Sequence, residues 1–232
     1  MHIPYITTQQ MIEVDRLMIE EYGIQLIQMM ENAGRNLAEL SHRMLGGDVH
    51  GKRLVVLCGA GNNGGGGMVA ARHLHNWGAD IALKVISGKE KLMNVPAHQY
   101  DILRKMEIRD HETIDLTSAD LVIDAMIGYG LTGDPRGAIA DWIRQVNDTA
   151  RSVLSLDTPS GLNTITGIPG NPCIRATATM TLALPKTGLK TPGALKVVGD
   201  LYLADISVPP QLYSKLGIEV PPIFIHDSII KI

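Results

Sequence analysis

Aromatic residues and cysteines are scarce in this sequence. Its 232 residues include one Phe, two Trp and two Cys, and the formal net charge is −3. Nucleic-acid binding is therefore disfavoured, because it needs a basic surface and aromatic side chains that stack on bases. Cys58 and Cys173 lie far apart, and the eight His show no paired spacing. Neither pattern indicates a zinc site.

Long apolar runs and targeting signals are also missing. No apolar run approaches the roughly 18 residues that a membrane-spanning helix needs, and no basic region followed by an apolar stretch opens the sequence. We therefore expect a cytoplasmic protein with no membrane partner. The hydrophobic fraction of 45% is ample for a core. The length fits one α/β domain spanning 1–232.

Helical and strand patterns alternate along most of the chain. Helices are predicted over 9–22, with Thr7 or Thr8 as the cap, and over about 26–45, 67–77, 93–106 and 137–147. Strands are predicted at about 53–58, 81–86, 120–125, 152–157, 177–184 and 200–206. No helix is predicted between the last two strands, so we expect them to lie close together. Apolar strands separated by helices indicate a parallel sheet covered on both faces.

The segment 59–67 contains six glycines among nine residues. It follows an apolar run and precedes a helical pattern, which predicts a strand, a tight turn and a helix N-terminus. Exposed backbone N–H groups at such a junction bind phosphate. Asn62 and Asn63 favour a ligand site over the alternative, in which the glycines only allow close packing of helix on strand.

Two familiar phosphate motifs do not fit this segment. A Walker loop ends in Gly-Lys-Ser/Thr, whereas Gly67 is followed by Met68 and Val69. ATP hydrolysis is therefore disfavoured. A dinucleotide fold places an acidic residue at the end of the second strand, but Asp80 precedes that strand here.

Polar residues follow three of the predicted strands directly. Ligands of parallel sheets bind beyond the carboxyl ends of the strands. Asn63, Asp124 and Ser160 offer only oxygen ligands, a set that suits a hard cation. The alternative for either strand-end aspartate is a helix cap.

Two further side chains are candidates for chemistry. Asp157, at the end of the strand before Ser160, is the best candidate for acid–base catalysis. Lys186, in the segment ALPKTG, can pair with a phosphate or a carboxamide. A solvated loop lysine is an equally good interpretation of Lys186.

Seven ordered segments resemble the NAD(P)H-hydrate epimerase family, also called the YjeF N-terminal domain family, over about 5–210. The matching segments are TTQQMIEVD, MMENAGRNLA, LCGAGNNGGGGMVAARHL, VIDAMIGYGLTGDPRG, SLDTPSGLNTITG, LALPKTGL and LYLADISVP. The resemblance implies a three-layer α/β/α, Rossmann-like, mostly parallel sheet with a helical segment at the N-terminus. It also implies a homodimer.

The activity implied by this resemblance is interconversion of the R and S hydrates of NADH and NADPH, which carry a hydroxyl at C6 of the nicotinamide ring. A dehydratase accepts one epimer, and at this length we expect it on a separate chain. Matching positions imply potassium (K+) held by Asn63, Asp124 and Ser160. They also imply substrate contacts from Asp157, from a first loop, which comprises Asn62, Asn63, Gly64, Gly65 and Gly66, and from a second loop. The second loop comprises Gly128, Tyr129, Gly130, Leu131, Thr132, Gly133 and Asp134.

The chain departs from the family at one loop position. The family loop is GNNGGDG, and Gly66 occupies the position of its aspartate. Tyr129, where a small Thr is usual, and Asn163, where Asp is common, are lesser departures. Two hypotheses follow, an epimerase that tolerates these changes and a non-catalytic nucleotide-binding or scaffold member. A kinase-like phosphotransferase is a weaker alternative, since no second acidic metal motif is present.

Overall fold

The computed structural model describes residues 3–232 as one α/β sheet structure preceded by two helices. The helices are α1 (Thr8–Glu20), α2 (Leu26–Met44), α3 (Asn62–Asn76), α4 (Asn94–Lys105), α5 (Gly137–Thr149) and α6 (Pro210–Lys215). The strands are β1 (Arg53–Cys58), β2 (Asp80–Val85), β3 (Leu121–Ala125), β4 (Val153–Leu156), β5 (Ala178–Leu182), β6 (Asp200–Ala204) and β7 (Ile229–Lys231).

The strands form one sheet in the order β2-β1-β3-β4-β5-β6-β7. All pairs are parallel except β6 with β7, which is antiparallel. Alternate residues of β1 face opposite layers. Val56 packs in the cluster that contains residues of α2, α3 and α4, whereas Val55 packs in the cluster that contains Ile143 of α5. The predicted three-layer, mostly parallel fold is confirmed.

The sequence patterns located six strands and five helices correctly to within a few residues, with one exception. The helix predicted to begin near 67 begins at Asn62, so that prediction was wrong and the glycines 64–67 are helical. The strand β7 and the short helix α6 were missed. Three residues are too few for an alternation pattern, and β7 exists because it pairs with β6.

The first helix has the cap that its sequence predicts. Thr7 is the N-cap, and its side chain and that of Gln10 form a reciprocal capping box. Before α1, the backbone N–H of Ile6 donates to Pro185 O at 2.9 Å, and Thr187 N–H donates to Ile6 O at 2.8 Å. Ile6 is therefore held beside the segment that carries Lys186. Among the helices of residues 3–232, none has the length and apolar character to cross a membrane.

Candidate functional site

A cavity of about 430 Å³ lies at the carboxyl edge of the sheet. Its walls come from α1, α2, the start of α3 and the segments that follow β3, β4 and β5. The lining residues that carry polar side chains are Asp15, Asn62, Asn63, Tyr129, Asp157 and Lys186. Gly61, Gly66, Gly128 and Gly130 contribute backbone surface. The loops that follow β1, β3, β4 and β5 therefore converge on one ligand-sized space, as expected for a parallel sheet.

The N-terminus of α3 opens into this cavity. Gly61 is its N-cap and provides no side-chain cap. The first N–H groups of a helix have no partner within the helix, and the helix dipole makes them attractive to anions. Since Gly61, Asn62 and Asn63 all line the cavity, this end of α3 can receive a phosphate.

Most glycines of the 59–67 segment serve packing. A Cβ on Gly64 would collide with Gly59 O, one on Gly65 would lie 2.5 Å from Met30 Sδ, and one on Gly67 would lie 2.6 Å from Ala125 Cβ. Glycine in a helix costs about 0.5–1 kcal/mol relative to alanine, so close packing of α3 must compensate for that cost. The packing interpretation therefore holds for these glycines, and a ligand contact stays a prediction for the part of the segment that lines the cavity.

Gly66 differs from its neighbours because it lines the cavity. A Cβ there would lie 2.8 Å from Leu156 Cδ2, the end of a flexible side chain. Gly66 is thus the one position in the run of helical glycines 64–67 at which a side chain would reach the cavity. Gly64 and Gly65, both predicted as substrate contacts, lie in the packed part of α3 and not in the cavity wall.

Asp157 and Lys186 form a buried ion pair at the cavity wall. The Lys186 Nζ donates to Asp157 Oδ1 at 2.5 Å, and the two side chains are 0% and 5% exposed. The ammonium also donates to Leu182 O at 3.1 Å. The backbone N–H of Tyr129 donates to Asp157 Oδ2 at 3.1 Å. Lys186 is therefore part of the site and not the solvated loop residue of the alternative interpretation.

The backbone of Asp157 is unusual as well. Its φ of 66° lies in the left-handed region, which few non-glycine residues adopt and which aspartate tolerates better than most. Such conformations are maintained at functional sites when the surroundings determine them. Here the turn after β4 directs the carboxylate towards Lys186 and the cavity.

Asp124 and Ser160 meet in a separate, fully buried cluster behind the cavity. Asp124 accepts hydrogen bonds from Ser160 Oγ at 2.5 Å, Ser155 Oγ at 2.7 Å and Ser160 N–H at 2.8 Å. Burial raises the pKa of the Asp124 carboxyl, although the Ser160 and Ser155 hydrogen bonds act in the opposite direction. Within residues 3–232, every hydrogen-bond donor to Asp124 is uncharged.

The third predicted cation ligand lies nearby but makes no hydrogen bond to that cluster. Asn63 Oδ1 lies within 3.3 Å of the point that a Cβ on Gly128 would occupy, and so does Asp157 Oδ2. The buried Nδ2 of Asn63 has no hydrogen-bond partner in the described chain. Asn63 therefore lies in the cavity wall beside Gly128, with hydrogen-bonding capacity unused.

Sequence reasoning missed Asp15. The Tyr129 hydroxyl donates to Asp15 Oδ2 at 2.5 Å, and both side chains line the cavity. Burial raises the pKa of Asp15, while the Tyr129 hydrogen bond and the Lys186 charge counteract part of that rise. The signal was present: Asp15 is acidic but lies on the face of α1 that carries the buried Met11, Val14 and Met18.

The second predicted loop divides into two parts. Gly128, Tyr129 and Gly130 line the cavity, whereas Leu131, Thr132, Gly133 and Asp134 lie beyond its lining. Asp134 Oδ1 accepts the backbone N–H of Asn171 at 3.0 Å and so ties this loop to the segment before β5.

Comparison with known proteins identifies relatives over most of the chain. An NAD(P)H-hydrate epimerase of Dehalogenimonas lykanthroporepellens is 41% identical over 216 residues, covering 92% of this chain and 86% of the relative. One of Rhodopirellula baltica is 32% identical and covers 94% and 90%. A bifunctional NAD(P)H-hydrate repair enzyme of Moorella thermoacetica is 38% identical over 89% of this chain, which spans 41% of that protein.

The fold is matched by a solved structure. The crystal structure of yeast ynu0 superimposes with a TM-score of 0.82 over 99% of this chain and all of the yeast chain, at 20% identity. This likeness concerns the fold alone. Residues 26–188 match the family described as YjeF-related protein N-terminus. The family resemblance drawn from the seven sequence segments is thereby confirmed, and the chain belongs to the YjeF N-terminal domain family.

Proposed function

We propose that this protein is an NAD(P)H-hydrate epimerase, which interconverts the R and S hydrates of NADH and NADPH. The observation that carries this proposal is the buried Asp157–Lys186 pair in the wall of a cavity that the N-terminus of α3 also lines. The site thus combines a proton-exchanging group with a phosphate-binding helix end. The relatives named NAD(P)H-hydrate epimerase cover most of this chain.

The reaction inverts C6 of the hydrated nicotinamide ring. Loss and return of the hydroxyl requires a group that exchanges a proton with the oxygen, and Asp157 has this role in the proposal. Lys186 and the Tyr129 N–H fix the two carboxylate oxygens, so the carboxylate is preorganised and need not reorient. The burial of both charged groups excludes water from the pair.

The rest of the substrate binds by positioning contacts. The pyrophosphate lies at the N-terminus of α3, where Asn62, Asn63 and the N–H groups of the first turn face the cavity. Gly128 and Gly130 leave room for the nicotinamide ring beside Asp157. The apolar lining from Met29, Met30 and Leu156 suits the flat ring system.

Potassium belongs to the proposal as a structural cofactor. Asp124 and Ser160 are in contact, all of their donor atoms for a cation are oxygens, and the buried Asp124 has no cationic partner among residues 3–232. These features fit a monovalent cation held by Asp124, Ser160 and Asn63. When bound, the ion would compensate the buried carboxylate charge. The segments after β1, β3 and β4 would be ordered around it.

The setting of the enzyme completes the proposal. A dehydratase consumes one epimer, and this chain acts as a homodimer in the cytoplasm. The pairing of epimerase with dehydratase agrees with the names of the bifunctional NAD(P)H-hydrate repair relatives, of which this chain spans 41%.

The test is direct conversion of one epimer. Purified R-hydrate of NADPH is incubated with the protein, and S-hydrate is measured by chromatography, with spontaneous epimerisation subtracted. Conversion at catalytic protein concentration supports the proposal. Conversion at the spontaneous rate, with protein folded and potassium present, contradicts it.

A second candidate function is a nucleotide-binding or scaffold role without turnover. It is favoured by Gly66, which removes the carboxylate that the family places in this cavity wall. Under this alternative the hydrate or NADPH binds, but the epimers do not interconvert above the spontaneous rate. The same chromatographic assay together with an NADPH binding titration separates the two functions.

A further inference from the structure

Tyr129 connects two carboxyl groups that both line the cavity. Its backbone N–H donates to Asp157 Oδ2 at 3.1 Å, and its hydroxyl donates to Asp15 Oδ2 at 2.5 Å. The two carboxyls are therefore held at opposite ends of Tyr129, one at its backbone and one at its hydroxyl, and Tyr129 itself lines the cavity. The Lys186 Nζ lies 5.6 Å from the centroid of the Tyr129 ring, on the Asp157 side of this chain of contacts.

The helix that carries Asp15 is fixed to the same elements. The Thr8 hydroxyl, at the start of α1, lies 3.0 Å from the Thr164 hydroxyl, and the latter donates to Tyr129 O at 3.2 Å. The residue Ile6 pairs with the segment around Lys186. The contacts of Thr8 with Thr164 and of Ile6 with the Lys186 segment thus fix the start of α1, and with it Asp15, relative to Tyr129 and Lys186.

The inversion itself calls for two proton-exchanging groups. When the hydroxyl leaves C6 from one face of the ring and water returns to the other face, one group must protonate the leaving oxygen. Another must accept a proton from the incoming water. A single carboxyl on one side of a flat ring cannot serve both faces. Asp157 supplies one group, and the second remains to be assigned.

We propose that Asp15, hydrogen-bonded to Tyr129, is this second proton-exchanging group and serves the ring face opposite Asp157. The inference rests on the proposed epimerase function. The supporting geometry is that both carboxyls line one cavity and are spaced by a single residue that contacts each of them.

The step balances without an oxidant or a reductant. The Asp15 carboxyl donates its proton to the C6 hydroxyl, the C6–O bond breaks with its electron pair going to oxygen, and water leaves. The ring nitrogen lone pair forms the N1=C6 double bond. Water then attacks the opposite face, that pair returns to N1, and the Asp157 carboxylate accepts the released proton. The reverse conversion uses the same groups in exchanged roles.

The electrostatics of Asp15 agree with a proton donor. Burial raises its pKa, which favours the neutral carboxyl that can donate. The groups that face it are the Tyr129 hydroxyl, whose own pKa is raised by burial and by Asp15, the charges of Lys186 and Asp157, and the buried Tyr213 hydroxyl, whose pKa is raised by burial, Asp205 and Asp15. Tyr129 therefore stays protonated and holds the Asp15 carboxyl in one orientation. Asp15 is partly exposed, so exchange with solvent can restore its proton.

The test compares Asp15→Asn with wild type in the full chain. The rates of R-to-S and S-to-R conversion are measured as a function of pH with the chromatographic assay. NADPH binding is titrated separately. We expect both rates to fall by about 10²–10⁴-fold, whereas NADPH affinity should change by less than about tenfold. The limb of the pH–rate profile that reports the ionisation of Asp15 should also disappear. Glu20→Gln, on the exposed part of α1, is the matched control and should match wild type.

Tyr129→Phe provides a second, independent measurement. It keeps Asp15 and the ring but removes the hydrogen bond that favours the Asp15 carboxylate, so the Asp15 pKa rises and its pH limb moves to higher pH. This variant decides the matter if Asp15→Asn does not fold.

The failures of the two proposals are distinguishable. An active wild type together with an Asp15→Asn protein that keeps the wild-type rates and pH profile overturns the role of Asp15 and leaves the epimerase function standing. An unshifted limb in Tyr129→Phe has the same meaning. An inactive wild type overturns both proposals.

Discussion

The carboxylates at the ends of β3 and β4 occupy adjacent strands but opposite electrostatic environments. Asp124 is fully buried, and in the described chain its hydrogen-bond donors are two serine hydroxyls and two backbone N–H groups, all uncharged. Asp157 is 4% exposed, and one of its oxygens contacts the ammonium of Lys186. Only Asp157 reaches the cavity.

This difference shows that position at a strand end does not determine what a carboxylate does. Buried negative charge requires compensation, and the two residues obtain it differently. Asp157 is paired with the Lys186 ammonium, so its negative charge is already compensated within the chain. Asp124 lacks such a cation among residues 3–232, which is why we propose that a bound ion supplies it. In the proposed function, this difference in environment gives Asp157 the proton-exchange role and Asp124 the role of holding a structural ion.

The largest effect is expected from Asp157→Asn. The substitution preserves size but removes the group that exchanges a proton, so the epimerisation rate should fall by about 10²–10⁴-fold. The measurement is the chromatographic assay after subtraction of the spontaneous rate. Asp80→Asn, at the amino end of β2, is the control and should keep full activity. If Asp157→Asn epimerises at the wild-type rate, Asp157 is a positioning residue.

The next effect concerns stability. Lys186→Met leaves the Asp157 carboxylate buried without its partner, which should lower the free energy of unfolding by about 3–5 kcal/mol. Chemical denaturation measures the loss. The double variant Asp157→Asn with Lys186→Met removes both charges and should recover much of the stability, which gives the coupling energy of the pair. A double variant that is less stable by the sum of both single losses would contradict a coupled ion pair.

Potassium should distinguish the two carboxylates. An ion bound by the folded protein stabilises it by about 2.7 kcal/mol at one hundred times its Kd, so KCl should raise the thermal midpoint above that in choline chloride of equal ionic strength. Asp124→Asn should abolish this difference, whereas Asp157→Asn should retain it. Equal midpoints in both salts for wild type would argue against a potassium site.

The smallest effect is expected from adding a carboxylate to the cavity. Gly66→Asp places its Cβ 2.8 Å from Leu156 Cδ2, which a small rotamer change can relieve. A charge-assisted hydrogen bond from a substrate hydroxyl contributes about 1.5–3 kcal/mol. The cost of the Leu156 rotamer change reduces this gain. We therefore expect up to about tenfold tighter NADPH binding or faster epimerisation. Gly66→Ser introduces a Cβ without the charge and controls for packing. Weaker binding in Gly66→Asp alone would mean that the cavity is built around the glycine.

The order of elements and the family membership could be predicted from the sequence because they rest on local signals. Apolar runs of four to six residues between helical patterns indicated six strands, and the parallel order followed from helices between strands. Parallel strands bring their carboxyl ends to one edge, so the approximate location of Asn63, Asp124 and Asp157 also followed. Local signals did not extend to β7, whose three residues form a strand only against β6.

Tertiary structure decided which residues face the ligand. The helical glycines 64–67 look alike in the sequence. In the structure three of them pack against Gly59, Met30 and Ala125, and Gly66 lies in the cavity wall. Lys186 became a buried partner of Asp157 because β5 lies beside β4.

Asp15 entered the site because the segment around Ile6 pairs with the Lys186 segment, more than 170 residues away in sequence. Contacts of that range depend on the whole fold and leave no local pattern, since each side chain meets its partner only after the sheet has formed. The sequence by itself therefore determined the fold, the family and the edge of the sheet at which the cavity lies. The tertiary structure alone decided how charges pair at that edge.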